Sequence, residues 1–220
     1  MKKFFTLFLT AFVALSASAQ KIVFTDDISA GSVTGFEVDG LVLSVVDDNG
    51  KLSVDSNNAY FGTATEYEKY DHRLKTGGKS GAANHITLTI PAGGTLSFGV
   101  RSASSGATDR NVVISQNEEV LYDQVVLEAD AVQVLFDGAD KETSIHPIRT
   151  VSVAAGEVLV EYPVGALNFY FFELETSTGV KSFLTAEDVM NGKSFNIAGQ
   201  AVNGNAKGMV IKNGKKFWVK

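Results

Sequence analysis

The feature that most constrains this chain is its punctuation. From Lys21 to Leu174 the apolar residues alternate with polar ones or come in short runs, and the breaks between them are glycine, asparagine, aspartate and proline rather than helix caps. Period-two alternation in short segments predicts strands. They fall near 21–25, 34–38, 41–47, 50–55, 84–90, 94–101, 110–116, 118–127, 131–136, 148–153, 156–162 and 166–174. Strands so evenly spaced predict an all-β sandwich or barrel. Asp48-Asn49-Gly50 lies between two β-rich runs and predicts a hairpin, because asparagine and glycine accept the positive φ of a tight turn. Ile90-Pro91-Ala92-Gly93-Gly94 and Val153-Ala154-Ala155-Gly156 share a form: strand end, small-residue turn, new strand. They predict two equivalent corners of one sandwich. The run LNFYFFELE at 167–175 is apolar at nearly every position, so it predicts a central strand covered on both faces.

The two ends read differently. Lys2 and Lys3 precede an apolar run from Phe4 to Leu15, and Ala17-Ser18-Ala19 supplies a small-residue site, so residues 1–19 are expected to be a cleaved secretory signal. No other apolar run of that length occurs, and no membrane span is expected after its removal. Residues 177–220 are expected to form a linker, Thr176 to Gly179, and a small C-terminal β-unit. In it, SFNIAGQAV predicts a strand pair turning at Ala198-Gly199. GMVIKNGKKFWVK predicts a hairpin at Asn213-Gly214 that opposes Lys212 to Lys215, Ile211 to Lys216, Val210 to Phe217 and Met209 to Trp218. The one helical start signal, Thr185-Ala186-Glu187-Asp188, predicts at most two turns.

Composition excludes some chemistries. The chain has no cysteine, so it has no disulfide, thiolate nucleophile or thiolate metal site. Residues 20–180 hold 10 Lys/Arg against 23 Asp/Glu, a net of −13, while residues 181–220 hold 7 against 2, a net of +5. An acidic body excludes nucleic acid as its ligand. No G-x-S-x-G elbow or phosphate loop is present. His72, His85 and His146 lack ligand spacing, so zinc is not expected. Asp26-Asp27 and Asp47-Asp48-Asn49 offer oxygens to a structural calcium, but their spacing fits turn chemistry better. No cofactor is expected.

The stretch from Tyr70 to Ile114 carries the candidate residues. Arg73 and Lys75 alternate with Leu74, so on a strand both cations share one face. Beside Tyr70 and His72 they could hold an acidic sugar, since guanidinium and ammonium groups pair with carboxylates and an aromatic face stacks on a pyranose. The competing reading pairs Arg73 or Arg110 with an aspartate such as Asp109 or Asp71 to fix a loop. Arg101 and Arg110, at the two ends of RSASSGATDR, are read as structural. Tyr60, Phe61, Tyr67 and Tyr70 cluster as a possible aromatic platform, with half of them expected as lids on the core.

FNIAGQAVNGNAKGMVIKNGKKFWVK resembles the C-terminal segments of secreted Bacteroidota proteins of the Prevotella and Bacteroides type, in its Gly199-Gln200 turn, Lys207-Gly208, the apolar Met209–Ile211 and Asn213–Lys216. That resemblance implies a sorting domain for type IX export, with the export machinery as partner and the cell surface or exterior as destination; the periplasm is the alternative. The body, through HRLKTGG, HITLTIPAGGTLSFGVRSASS, Arg110 and GALNFYFFELE, is similar to the jelly-roll sandwich attached to pectate lyases and other polysaccharide-degrading proteins. That resemblance implies a non-catalytic, carbohydrate-binding-like module spanning 20–176, with polysaccharide or cell-surface glycan as partner. Two other classes are weighed beside it: a lyase or hydrolase acting on acidic glycans, and a structural or adhesion subunit pairing through edge strands.

Overall fold

The computed structural model describes residues 19–176 in full, and beyond them the backbone of 194–196, 201–202, 208–212 and 215–219. By its internal contacts the chain divides into two units, Met1–Thr178 and Gly179–Lys220.

The first unit is built from β1 (Ala19–Val23), β2 (Phe36–Val38), β3 (Leu41–Asp47), β4 (Ser53–Gly62), β5 (Tyr67–Lys75), β6 (Asn84–Ile90), β7 (Gly94–Ser102), β8 (Asn111–Gln116), β9 (Glu119–Val125), β10 (Val132–Val134), β11 (Thr143–His146), β12 (Arg149–Val153), β13 (Gly156–Glu161) and β14 (Leu167–Thr176). One sheet runs β10-β11-β4-β5-β14-β7-β12, with β1 also paired to β14, and the other runs β2-β3-β6-β13-β8-β9. Four antiparallel pairs are nested in sequence: β5 with β14, β6 with β13, β7 with β12 and β8 with β9. The outer two members of each half alternate between sheets, giving β5-β14-β7-β12 opposite β6-β13-β8-β9. That nesting is a jelly roll, and the fold is all-β as the alternation predicts.

The two small-residue corners are equivalent, as expected. Each carries the chain from one sheet to the other, β6 to β7 and β12 to β13, and they abut. A side chain on Gly93 would meet the Val153 carbonyl at 3.3 Å. Gln116 pins the second corner, donating to the Ala154 carbonyl at 3.0 Å and accepting from the Ala154 N–H at 2.9 Å.

The Asp48-Asn49-Gly50 hairpin does not form. Its turn exists, with the Gly50 N–H bonded to the Asp47 carbonyl at 3.1 Å and Gly50 at φ 61°. The strands on either side, β3 and β4, belong to different sheets. A local turn motif sets the bend but not which edge the departing strand joins; here the departing Val54 is buried in the main core and β4 finds β5 instead. β4 also runs seven residues past the expected end at 55, and β5 and β11 were not among the expected strands.

Successive residues of a strand point to opposite faces, and β14 uses both. Phe169, Phe172 and Leu174 enter the main core between the sheets, whereas Tyr170 and Phe171 join Ala59, Phe61 and Tyr70 in a second cluster. β1 and the residue that follows it divide the same way, with Ile22 and Phe24 in the main core and Val23 against the second cluster. Every residue from Leu167 to Phe172 is buried. LNFYFFELE is thus a central strand covered on both sides, as its composition predicts. A bulge at Tyr170 makes two successive side chains share the outer face.

HRLKTGG is a fastening. Thr76, fully buried, accepts from the Leu167 N–H at 3.0 Å and donates to the Gly78 carbonyl at 3.2 Å. Gly77 adopts φ 63°, and a Cβ there would lie 2.5 Å from the Lys51 carbonyl oxygen, so both conformation and space demand glycine. Asn84 donates to the Thr76 carbonyl and accepts from the Tyr162 hydroxyl.

The second unit contains β15 (Ser194–Asn196), β16 (Ala201–Val202), β17 (Gly208–Lys212) and β18 (Lys215–Val219), ordered β16-β15-β17-β18. The β17–β18 register opposes Lys212 to Lys215, Ile211 to Lys216, Val210 to Phe217 and Met209 to Trp218, as the turn motif predicts. All of the expected 1–19 signal except Ala19, the linker after Thr176, the helical turn at 185–190 and the turn residues themselves lie outside the described residues. Among those described, no helix is long and apolar enough to cross a membrane.

Candidate functional site

The β4–β5 hairpin ends in a turn that only glycine allows. Gly62 sits at φ 141°, and a Cβ would approach the Glu66 carbonyl oxygen to 2.2 Å. Thr63 closes the turn, its N–H bonded to the Glu66 carbonyl at 2.7 Å and its hydroxyl accepting from the Glu66 N–H at 3.1 Å. The turn places Tyr67 opposite Gly62 and diagonal to Tyr60, which pairs with Lys69. Phe136, in the segment after β10, completes a three-ring group. Tyr67 and Phe136 stack at 5.1 Å with planes 14° apart, and Tyr60 meets both edge-on, at 6.0 Å and 5.3 Å. Tyr67 is 43% exposed and the adjoining Leu135 59%.

The four expected aromatics therefore split as alternation requires. Phe61 and Tyr70 are lids in the second cluster, and Tyr60 and Tyr67 reach the surface. Tyr70 is withdrawn as a stacking residue. It is 2% exposed, stacks on Phe171 at 4.7 Å and lies beneath the Lys21 ammonium, and its hydroxyl donates to Glu68 at 2.7 Å. Burial and the Glu68 carboxylate raise its pKa far above the ordinary phenol value. Phe136 is the partner that sequence reasoning missed; it lies in a loop with no local signal for what it touches.

Arg73 and Lys75 do share a face, and both converge on Asp55. The Arg73 guanidinium bonds the two carboxylate oxygens at 2.7 Å and 3.4 Å, and the Lys75 ammonium approaches at 3.1 Å. Burial pushes the Asp55 carboxyl up, but hydrogen bonds and charge from Arg73 and Lys75 outweigh it and hold the group below the usual carboxylate range. The competing reading of a structural ion pair is right in kind and wrong in partner. Asp71 instead pairs with Lys69, and Arg110 donates to the Ala166 carbonyl at 2.8 Å. Asp55 is the partner because it sits directly across from Arg73 on the neighbouring strand. Arg101 forms the equivalent pair with Glu128, at 2.9 Å.

His72 stands apart from these cations. Its Nε2 is 3.3 Å from the Ser56 hydroxyl and 3.5 Å from Asp27, and Ser56 itself contacts both Asp27 oxygens at 3.1 Å and 3.2 Å. The three residue types are those of a hydrolytic triad. The geometry is not, because serine and aspartate compete for the same imidazole nitrogen, whereas nucleophile activation needs them on opposite ones.

Asp47 spends both oxygens on the backbone, accepting from Gly31 N–H at 2.9 Å and Lys51 N–H at 2.7 Å, which is turn chemistry. His146 is buried against Phe61. Burial, reinforced by Arg101 and Arg149 over the opposing Glu128 and Asp130, lowers its pKa to about 4.

No family model matches this chain, and no curated protein resembles it closely enough to register. Three solved structures give the flavour of its structural similarities. One is a chain from work on glycan recognition in the Ruminococcus flavefaciens cellulosome, 15% identical, covering 73% of this chain and 95% of its own, TM-score 0.38. Another is a carbohydrate-binding module of Cellvibrio mixtus lichenase 5A in complex with cellotriose, 15% identical over 71% of this chain and all of its own, TM-score 0.26. The third is the catalytic unit of a Streptomyces thermodiastaticus GH87 alpha-1,3-glucanase, 14% identical over 64% of this chain but 27% of the glucanase, TM-score 0.34. TM-scores this low place no weight on function, so the chemistry of the surface has to carry it.

Proposed function

We propose that this chain is a non-catalytic carbohydrate-binding protein that stacks sugar rings on Tyr60, Tyr67 and Phe136. The observation that supports the reading is the exposed three-ring group itself. Buried aromatics need no ligand, but a stacked, partly exposed pair flanked by an exposed leucine is apolar surface kept at the tip of a hairpin, where the fold gains least from it. The ring faces are flat and apolar while the tyrosine hydroxyls remain wet, which matches a pyranose with C–H groups on its face and hydroxyls on its rim. The misdirected Ser56–His72–Asp27 group speaks against hydrolysis by a serine nucleophile. Residues 1–19 and 177–220 accord with export from a Gram-negative cell, the former as signal and the latter as sorting tail.

Isothermal titration of the mature chain with neutral gluco- and galacto-oligosaccharides tests the reading. Tyr67→Ala should weaken binding roughly tenfold, as loss of a central aromatic contact does, while the chain stays folded with a urea midpoint lowered only by the loss of its two ring contacts, about 0.5–1.5 kcal/mol each. Binding that Tyr67→Ala does not alter would overturn it.

A further inference from the structure

Tyr67, Lys69 and Asp71 are alternate residues of β5, so their side chains leave the strand on one face. Tyr60 joins that face, because it stands directly opposite Lys69 on β4. The aromatic surface therefore does not end at its rings. Along β5 it runs on into an ion pair, with the Lys69 ammonium 2.6 Å from the Asp71 carboxylate. Both side chains are open to solvent, at 44% and 60% exposed, and a surface pair of this kind adds little to stability.

Past the pair lies a groove. It holds about 300 Å³, at the lower end of the range of ligand pockets, and is lined by Lys69 and Asp71 on one side and by Val23 and Thr25 on the other. Tyr67 and Asp71 stand about 14 Å apart along the strand, so rings, ion pair and groove together make a surface longer than one sugar ring.

The chemistry of the pair selects the ligand. After their mutual bond the ammonium keeps further donors and the carboxylate further lone pairs. What remains is a donor set beside an acceptor set with no net charge. A sugar hydroxyl both donates and accepts, so two neighbouring hydroxyls satisfy the pair together. An anion gains from Lys69 what it loses to Asp71.

We infer that this face is a track for a linear neutral oligosaccharide longer than a disaccharide. One ring stacks on the aromatic group, and the rings that follow run along β5, with Lys69 donating to one hydroxyl and Asp71 accepting from its neighbour, before the chain reaches the groove. The inference rests on the stacking platform proposed above, and adds to it the polar residues and the length of ligand that stacking alone leaves open.

Isothermal titration of the mature chain with cellobiose and cellotetraose, and with laminari- and galacto-oligosaccharides of the same two lengths, tests it. In the series that binds, the tetrasaccharide should bind about tenfold more tightly than the disaccharide, the worth of an added hydrogen bond to a charged group. Lys69→Met and Asp71→Ala should each remove most of that gain, with circular dichroism spectra that match the parent's. Tyr67→Ala should weaken both lengths. Equal binding of the two lengths by the parent, or a gain undiminished in either variant of the pair, would overturn the track; the platform would still stand if Tyr67→Ala weakened the disaccharide. Absence of binding to every one of these sugars would overturn platform and track together.

Discussion

Gly99 offers a sharp test of how the second aromatic cluster is held. It lies in β7 directly across from Phe171. A Cβ there would stand 2.5 Å and 2.7 Å from Phe171 Cε1 and Cδ1, and 3.2 Å from Phe61 Cδ1. Carbon atoms in contact settle near 3.5–4.0 Å, so Gly99→Ala obliges the Phe171 ring to move by about 1 Å. Both rings are fully buried, and Phe171 is itself clamped by the stacked Tyr70, so the movement propagates. Overpacking of this kind costs about 1–3 kcal/mol. Replacing glycine by alanine returns about 0.4–1 kcal/mol by stiffening the unfolded chain, leaving a net loss near 1–2 kcal/mol. With a urea m-value of about 2 kcal/mol/M, the midpoint should fall by about 0.5–1 M. Trimming the obstruction with Phe171→Leu should make the double variant less than the sum of its parts. An unchanged or higher midpoint for Gly99→Ala, or strict additivity, would refute the account.

Three further outcomes follow from individual contacts. His146 is held neutral in the fold with a pKa of about 4 against an ordinary 6.5, so its contribution is complete above pH 6.5 and is lost as pH falls toward 4. The loss reaches about 3 kcal/mol. Urea midpoints measured across that window should drop, and His146→Gln should flatten the slope; an equal slope in the variant would dismiss the assignment. Tyr162→Phe orphans the buried Asn84 oxygen and should cost about 1–3 kcal/mol, read by thermal unfolding, and Asn84→Ala should cost less in that background than in the parent chain, because the bond between the two side chains is already gone. Asp55→Asn removes the carboxylate shared by Arg73 and Lys75; because the group is partly exposed the loss should be about 1 kcal/mol, and it should diminish in high salt, which a salt-independent loss would contradict.

What could be read from the sequence is what local chemistry decides. Alternation marks strands, so the all-β class and most strand positions are legible, as are the twin corners at Gly93 and Ala155 and the Asn213-Gly214 register. The doubly buried character of 167–172 is legible because continuous apolarity leaves no face for water. What could not be read is partnership between strands distant in the chain. Asp48-Asn49-Gly50 signals a turn but not that the chain changes sheets there. Arg73 signals an ion pair but not Asp55, whose place opposite depends on the β4–β5 register. Within the candidate site, the outward positions of Tyr60 and Tyr67 follow from their alternation with Phe61 and from the Gly62 turn. Phe136 arrives from some seventy residues away.

The sharing of β14 has a kinetic side. One edge of this strand is taken first by β5, at Leu74 and Lys75, and then by β1, at Val23 to Ala19, while β7 lines the other edge along its whole length. The segment at the end of the sandwich is thus the seat for its very first strand. Until residues 167–176 exist, neither core cluster has its central wall, and β1 has no place to lie. Closing loops of this span is slow, because chain entropy is lost before the distant contacts form. A ribosome-bound chain cut short before Leu167 should remain open to proteases along its length, and protection should appear only once the last strand has emerged. Such a chain stays unfolded while it is being made.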